Sequence, residues 1–380
     1  MNKNEKVIII GAGLCGTLLA VRLAQRGYQV SLHEKRSDMR REDVDVGRSI
    51  NLALSNRGLK ALERVGLKDA IMEQCIPMKG RMIHPLGGEK FLSRYSGRDE
   101  DYINSVSRGG LNIALLDEAE KLPNIQIYFE SDCTGINLKE AIATFKNNNT
   151  GESIEEKGAV VIGTDGAGSV VRRSMMSKTT QLLFNYSQNF LRHGYKELSI
   201  NPTDAGGWKI EKNALHIFPR GQFMIIALPN LDGSFTLTMF HPFEGEIGFN
   251  NLNTKEKVKA FFEEYFPELL PYIPHYLEEF FENPVGTLGT IKCYPWQAFG
   301  KALLMGDASH AIVPFYGQGM NASFEDFLKI INNNIATDEE GNRVVFDSIL
   351  YNFGGGYWEA DYRIQYQYTT NLRETYTEPT

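Results

Sequence analysis

A chain of 380 residues, 42% hydrophobic and 23% charged, is long enough to bury a large core and to form two domains. Its formal net charge of −7 offers no general attraction to nucleic acid or to acidic membranes, so an anionic ligand has to be met by local arginines. Cys15, Cys75, Cys133 and Cys293 stand far apart without a C-x-x-C, and the seven histidines do not cluster with them, which excludes a disulfide scaffold and a zinc site.

The start, Met1-Asn-Lys-Asn-Glu-Lys6, leads straight into an apolar strand and leaves no room for a cleavable signal peptide. No apolar run approaches the roughly eighteen residues of a spanning helix, so the expectation is a reduced, cytoplasmic chain without a membrane span. Val7-Ile-Ile-Ile10 then feeds Gly11-Ala-Gly13-Leu-Cys-Gly16, a G-x-G-x-x-G, and the residues from Thr17 to Arg26 follow with helical apolar spacing. Gly11 suits a tight turn, Gly13 lets backbone approach a pyrophosphate, and Gly16 lets helix and strand pack closely. The helix start presents free N–H groups and a positive dipole end. Tyr28 to His33 reads as the second strand, and Glu34 stands at its end, placed for a ribose 2′-hydroxyl. At this stage FAD and NAD both remain open.

Ala159-Val-Val-Ile-Gly163-Thr-Asp165-Gly166 repeats the pattern of a buried strand ending in a turn, and Ser169 caps the helix that follows. From Ala214 to Phe240 the sequence alternates as antiparallel strands, with Gln222–Leu228 and Ser234–Met239 joined through Asn230-Leu-Asp232-Gly233, a hairpin turn. Residues 254–282 read as helices broken at prolines. Lys301-Ala-Leu-Leu-Met-Gly-Asp307 is a third strand with an acid at its end, and Pro314 to Asn321 is a Pro/Gly turn opening a helix. A simple dehydrogenase has no need of these later strands. In an FAD site, Asp165 or Asp307 can bond the ribityl chain, and the helix start at Gly319, Met320 and Asn321 can face the flavin pyrimidine edge, where its dipole favours negative charge.

With these pieces in order, the chain resembles the flavin-dependent aromatic hydroxylases of the para-hydroxybenzoate hydroxylase type and, within them, the kynurenine 3-monooxygenase family. The closer likeness rests on Gly47-Arg48-Ser49-Ile50-Asn51-Leu-Ala53-Leu-Ser55-Asn-Arg57-Gly58, His193-Gly194-Tyr195-Lys196-Glu197-Leu198, Leu215-His216-Ile-Phe-Pro219-Arg220-Gly221 and the Pro314 to Asn321 turn. It covers about residues 6–328. The resemblance implies an α/β fold, a Rossmann-like FAD-binding domain with an inserted antiparallel-sheet substrate domain. The FAD-binding parts are 1–75, 103–178 and 285–328, the substrate parts 76–102 and 179–284, with an atypical tail at 329–380. It also implies the activity: NADPH and O2 convert L-kynurenine to 3-hydroxykynurenine through a flavin C4a-hydroperoxide. FAD does the hard chemistry, so no dedicated catalytic side chain and no metal is expected.

By the same resemblance Arg81 and Tyr95 hold the substrate carboxylate, a planar fork beside a phenol donor. Leu215, Met224, Ile226, Phe240, Pro314 and Phe315 form the apolar walls, with Tyr316 at a position that varies within the family. Ala53 packs beside the isoalloxazine and Arg108 contacts the flavin. Read without the resemblance, Arg81 is a solvated charge on an edge strand, and the alternation of Met224 and Ile226 is one face of a strand. NADPH is expected to dock transiently, since there is one G-x-G-x-x-G, and a homodimer is compatible with the sequence. After Asp326-Phe327 the family pattern stops, and Gly-, Asn- and Tyr-rich sequence reads as a divergent or frame-shifted C-terminus that would leave the flavin wet and hydroxylation poorly coupled. Two rivals follow: a relative acting on another aromatic acid, and a catalytically impaired FAD-binding protein.

Overall fold

The computed structural model describes residues 5–41, 51–98 and 100–332; the string Gly47–Ile50 and residues 333–380 of the tail lie outside them. The apolar run at the N-terminus becomes the strand Lys6–Ile10, and its continuous hydrophobicity has a simple cause. Val7 and Ile9 point into one core with the helix Leu14–Gln25, and Ile8 and Ile10 into another behind the sheet. A strand buried on both faces cannot alternate. It sits inside a six-stranded sheet ordered Gln297–Ala298, Ala302–Leu304, Val160–Gly163, Lys6–Ile10, Gln29–His33, Ile125–Tyr128. All pairings are parallel except the short edge strand 297–298. The turns after Ile10, His33, Gly163 and Leu304 therefore gather at one end, where open α/β sheets bind ligands.

A seven-stranded sheet runs Gly286–Tyr294, Asn185–Ile200, Phe235–Pro242, Phe223–Pro229, Leu215–Arg220, Gly80–Ile83, Phe91–Arg94. The hairpin at Asn230 forms as expected, with Gly233 in the left-handed region at φ +89°. One face of the sheet, through Phe218, Phe223, Ile225, Phe235 and Leu237, packs on the helices Lys255–Tyr265 and Tyr276–Glu282 with Phe261, Phe262 and Phe280. The other face carries Met224, Ile226 and Phe240, and Phe240 meets Phe315.

Two strands fall on the other side of the expected boundaries. Gly286–Tyr294, placed by sequence in the FAD-binding part, pairs with Asn185–Ile200 in the seven-stranded sheet. That strand is 16 residues long and needs a partner along its outer edge. Ile76–Met78, placed in the substrate part, instead joins Asn51–Leu54 and Ile103–Ser107 in a three-stranded sheet. Residues 329–332, read as tail, complete the helix Gly319–Asn332.

Candidate active site

The fingerprint glycines divide by what surrounds them. Gly11, at φ +102°, lies so close to the next strand that a Cβ would stand 2.5 Å from the Thr164 carbonyl oxygen. At Gly16 a Cβ would meet the Gly11 carbonyl oxygen at 2.0 Å and Thr164 Oγ1 at 2.4 Å. At Gly13, N-cap of the helix Leu14–Gln25, nothing lies within 4 Å. Two glycines are thus consumed by packing and the middle one faces open space at a helix N-terminus, which is the shape a pyrophosphate requires. Glu34 is buried at the end of Gln29–His33. Its Oε2 accepts the Ala12 N–H (3.0 Å), and its Oε1 accepts the Arg36 N–H (3.2 Å) and Nε (2.7 Å). One acceptor direction remains, on Oε2.

The two later acids differ. Oδ2 of Asp165 accepts the Val170 N–H (2.6 Å) and the Val171 N–H (3.4 Å), tying down the helix Val170–Met176, which Ser169 also caps. Gly166 and Gly168 beside it face open space. Asp307 has an exposed side chain, yet crowding by protein pushes its carboxyl above the ordinary 3.8, against the pull of His310 and Arg108. A group that water can touch but that protein surrounds on most sides is the floor of a cleft.

Across that cleft the helix Gly319–Asn332 begins with Gly319, where an added Cβ would meet Ile312 Cγ1 at 4.0 Å, an ordinary contact, and with Met320 packed in the core. Asn321 is fully buried: Nδ2 donates to the Ala53 carbonyl (2.8 Å) and Oδ1 accepts the Ser55 N–H (3.0 Å). Its amide is therefore spent on the strand Asn51–Leu54, and what that turn can offer a ligand is backbone. Ala53 is buried, 3.0 Å from where a Cβ on Gly317 would stand.

On the sheet, the register brings the sequence-named wall residues onto one face. Arg81 lies opposite Leu215, Met224 opposite both Pro219 and Phe240, and Ile226 opposite Ile217 and Thr238. Met224 and Ile226 are half-buried between the buried Phe223, Ile225 and Ala227. Phe315, in the short helix Pro314–Tyr316, meets Phe240 edge to face with centroids 4.9 Å apart, and Pro314 is exposed beside it. The Tyr316 side chain lies outside what is described. Arg81 stacks over the Tyr95 ring at 4.9 Å. The Tyr95 hydroxyl is buried with no hydrogen-bond partner among the described residues, and burial pushes it up to about 12 despite the nearby guanidinium. A buried orphan hydroxyl next to a cation is an incomplete anion site.

Arg108, exposed at the first turn of the helix Arg108–Glu120, acts electrostatically on Asp307 and also on Tyr195 and Glu197 of the sheet. Sequence reasoning had quoted Tyr195 and Glu197 without a role. Their signal was alternation: Tyr195 is the register partner of Phe240 and Glu197 of Thr238, so both share the pocket face. Burial pushes the Glu197 carboxyl up and Arg108 pulls it down. No group of three or more His, Cys, Asp or Glu able to hold a metal occurs among the described residues, and none of their helices is long and apolar enough to cross a membrane.

The family described as FAD binding domain matches residues 4–191. The kynurenine 3-monooxygenase of Myxococcus xanthus is 48% identical over 324 residues, 85% of this chain and 69% of the relative. That of Dictyostelium discoideum is 46% identical over 87% of this chain and 70% of the relative. Among solved structures, the tetrameric form of 2-methyl-3-hydroxypyridine-5-carboxylic acid oxygenase superposes with a TM-score of 0.71 at 22% identity, over 93% of this chain and 86% of that one. P. aeruginosa PqsL in complex with 2-aminobenzoylacetate gives 0.72 at 19%, over 92% and 90%. These distant structures share the fold; the identity with the two enzymes is of another order and runs through both sheets. The chain belongs to the kynurenine 3-monooxygenase family.

Proposed function

We propose that this protein is an FAD-dependent, NADPH-consuming monooxygenase that hydroxylates L-kynurenine to 3-hydroxykynurenine. The observation that carries the substrate is Arg81 stacked on Tyr95, whose buried hydroxyl has no partner among the described residues, at one end of an apolar strip that closes against Phe315. A guanidinium fork and a phenol O–H together match the carboxylate of an amino acid. Leu215, Met224, Ile226 and Phe240 then receive an aromatic ring, a reading supported by their sharing one face of the sheet.

The open positions at Gly13, Gly166 and Gly168, together with the exposed Asp307, fit FAD. Bound there and reduced by NADPH, it supplies the activation of O2 and the transfer of one oxygen atom to the ring. The chain's own work is positional. Gly13 and the helix start receive the pyrophosphate, Glu34 a ribose hydroxyl, and Asp307 the ribityl chain. The backbone from Gly319 and the Arg108 cation favour negative charge at the far end. The apolar strip keeps water from the ring. This reading carries a cytoplasmic location and is compatible with a homodimer.

The test is NADPH oxidation by the purified, FAD-supplemented chain with and without L-kynurenine, with the product identified by mass. Acceleration and a product one oxygen heavier is the expected result. Peroxide alone means that ligand is recognised and coupling is lost. No response to kynurenine but a response to a hydroxybenzoate moves the substrate to another aromatic acid.

A further inference from the structure

The strand Asn51–Leu54 is gripped from both sides of the site. Toward the helix Gly319–Asn332 it is held by the two Asn321 hydrogen bonds at Ala53 and Ser55. Toward the seven-stranded sheet it is held by Asn51, whose buried Nδ2 donates to Asn230 Oδ1 (2.6 Å), to the Pro229 carbonyl (2.9 Å) and to Ser105 Oγ (3.1 Å). The Ser105 hydroxyl donates to the same Pro229 carbonyl (2.8 Å). Asn230 is the turn of the hairpin that presents Met224, Ile226 and Phe240, and it is itself fixed: Nδ2 donates to Ser234 Oγ (2.9 Å) and Thr236 Oγ1 (3.1 Å), and its carbonyl accepts Trp208 Nε1–H (2.9 Å).

The chemistry of this junction is one-directional. Two of the three atoms that meet Asn51 Nδ2, the Pro229 carbonyl and Asn230 Oδ1, are acceptors only. Turning the Asn51 amide over would set its oxygen against both, so the orientation follows from the partners. No described donor reaches Asn51 Oδ1. The same strand pairs with Ile103–Ser107, and Ser107 caps the helix that starts at Arg108. One four-residue strand therefore touches the hairpin that holds the ring, the turn that faces the flavin and the strand leading to the arginine between them.

We propose that Asn51 is a positioning residue that sets the spacing between the ring-binding face of the sheet and the cofactor cleft. This rests on the function proposed above. A ring displaced by an ångström or less meets the activated oxygen too late, and the reducing equivalents leave as hydrogen peroxide.

Asn51→Asp tests it, because the side chain keeps its size while the donor becomes an acceptor facing the Pro229 carbonyl and Asn230 Oδ1. The expected result is a fall of about tenfold in hydroxylated product per NADPH consumed, with FAD affinity, read by flavin fluorescence, within about twofold of the parent. In the FAD-free chain, hydrogen–deuterium exchange of residues 229–236 should quicken about tenfold while the helix Lys255–Tyr265 stays as protected as before. Asn124→Asp is the second variant: its Nδ2 likewise donates to two carbonyls, Ala24 (2.9 Å) and Tyr28 (2.7 Å), neither of which belongs to the hairpin or the cleft, so the same loss of a donor should leave coupling within about twofold. Unchanged coupling and exchange in Asn51→Asp overturns the proposal. So does equal damage in both variants, or loss of protection throughout the chain, since either means general stability. If the parent chain does not turn over kynurenine, the functional reading has failed, and the exchange pattern alone decides whether Asn51 holds the hairpin.

Discussion

Two regions of this molecule treat buried polar side chains in opposite ways. Behind the six-stranded sheet, His33 is sandwiched between Phe145 and Tyr128, bonded to Ser131 Oγ (2.9 Å) and to Glu156 (2.7 Å), and Glu156 also takes Lys6 (2.6 Å) and Ser31 (2.9 Å). Beyond the strand Phe91–Arg94 the Tyr95 hydroxyl has no partner among the described residues, and beyond Ala302–Leu304 the Asp307 carboxyl sits exposed among protein that disfavours its charge. Both regions are rich in ionisable groups. Completeness is what separates them: a network with its hydrogen bonds made is architecture, and one left open at a cleft awaits a ligand.

The largest expected effect breaks the comparison at the fingerprint itself. Gly16→Ala forces a methyl to within 2.0 Å of the Gly11 carbonyl oxygen and should cost about 3 kcal/mol or more of stability, read by denaturant unfolding. Gly13→Ala, with nothing within 4 Å, should leave the FAD-free protein within about 0.5 kcal/mol of the parent while weakening FAD binding at least about tenfold. A Gly13→Ala protein that binds FAD normally would remove the pyrophosphate from that position.

The two carboxylates give opposite pH signatures. Burial pushes Glu156 up, but the bonds from His33, Lys6 and Ser31 outweigh it and hold the carboxyl at about 2, below its ordinary 4.5. A lowered value means stability present above 4.5 and lost as pH falls toward 2, so Glu156→Gln should cost on the order of 2 kcal/mol at pH 7 and nothing near pH 2. Asp307 is raised, so its ionisation begins to weigh against the folded, FAD-free chain above 3.8 and does so in full once pH passes its folded value. Asp307→Asn should therefore stabilise that chain at pH 7, have no effect below pH 3.8, and weaken FAD binding. Urea midpoints across pH distinguish the two. Parallel pH dependences in the two variants would mean that the contrast between the regions is not electrostatic.

In the cleft, Arg81→Ala should raise the KM for kynurenine about 10- to 100-fold with FAD affinity unchanged, as expected for the loss of a charge-assisted pair. An equal loss in FAD affinity would show that Arg81 holds the sheet in place instead of the substrate.

The nucleotide corner was legible in the sequence because its constraints are local. Three glycines at fixed spacing, an apolar run on each side and an acid at the end of the next strand are written within residues 7–34. The two strands that crossed the expected boundary, Gly286–Tyr294 and Ile76–Met78, were not legible, since pairing across roughly 90–110 residues in the first case and 25–29 in the second leaves no local mark beyond an apolar pattern. The pocket lies between these cases. Composition gave Met224 and Ile226 only as one face of a strand; the resemblance named the face, and the register explains it. Tyr195 and Glu197 were missed because a strand pattern tells which residues share a face and not what crosses the cleft to meet them, here Arg108. Asn321 reads in the sequence as part of the helix start that faces the flavin, and Asn51 as one residue of a family string; that both tie down the strand Asn51–Leu54 is not legible, since their partners stand 268 and 178 residues away.

The smallest change sharpens the comparison most. Tyr95→Phe deletes a hydroxyl that has no partner among the described residues, so stability should stay level or rise by up to about 1 kcal/mol, where loss of a satisfied tyrosine O–H would lower it by a similar amount. The Arg81 guanidinium keeps a ring to stack on, so the anion site persists with one donor fewer. The KM for kynurenine should rise about tenfold or less, kcat should hold, and the thermal midpoint should move in the opposite sense to the affinity. A substitution that stabilises the fold while weakening substrate binding is what an orphaned group kept for a ligand predicts. If Tyr95→Phe destabilises the FAD-free chain, the hydroxyl has a partner inside the protein, and the cleft is as complete in its hydrogen bonding as the His33 network behind the sheet.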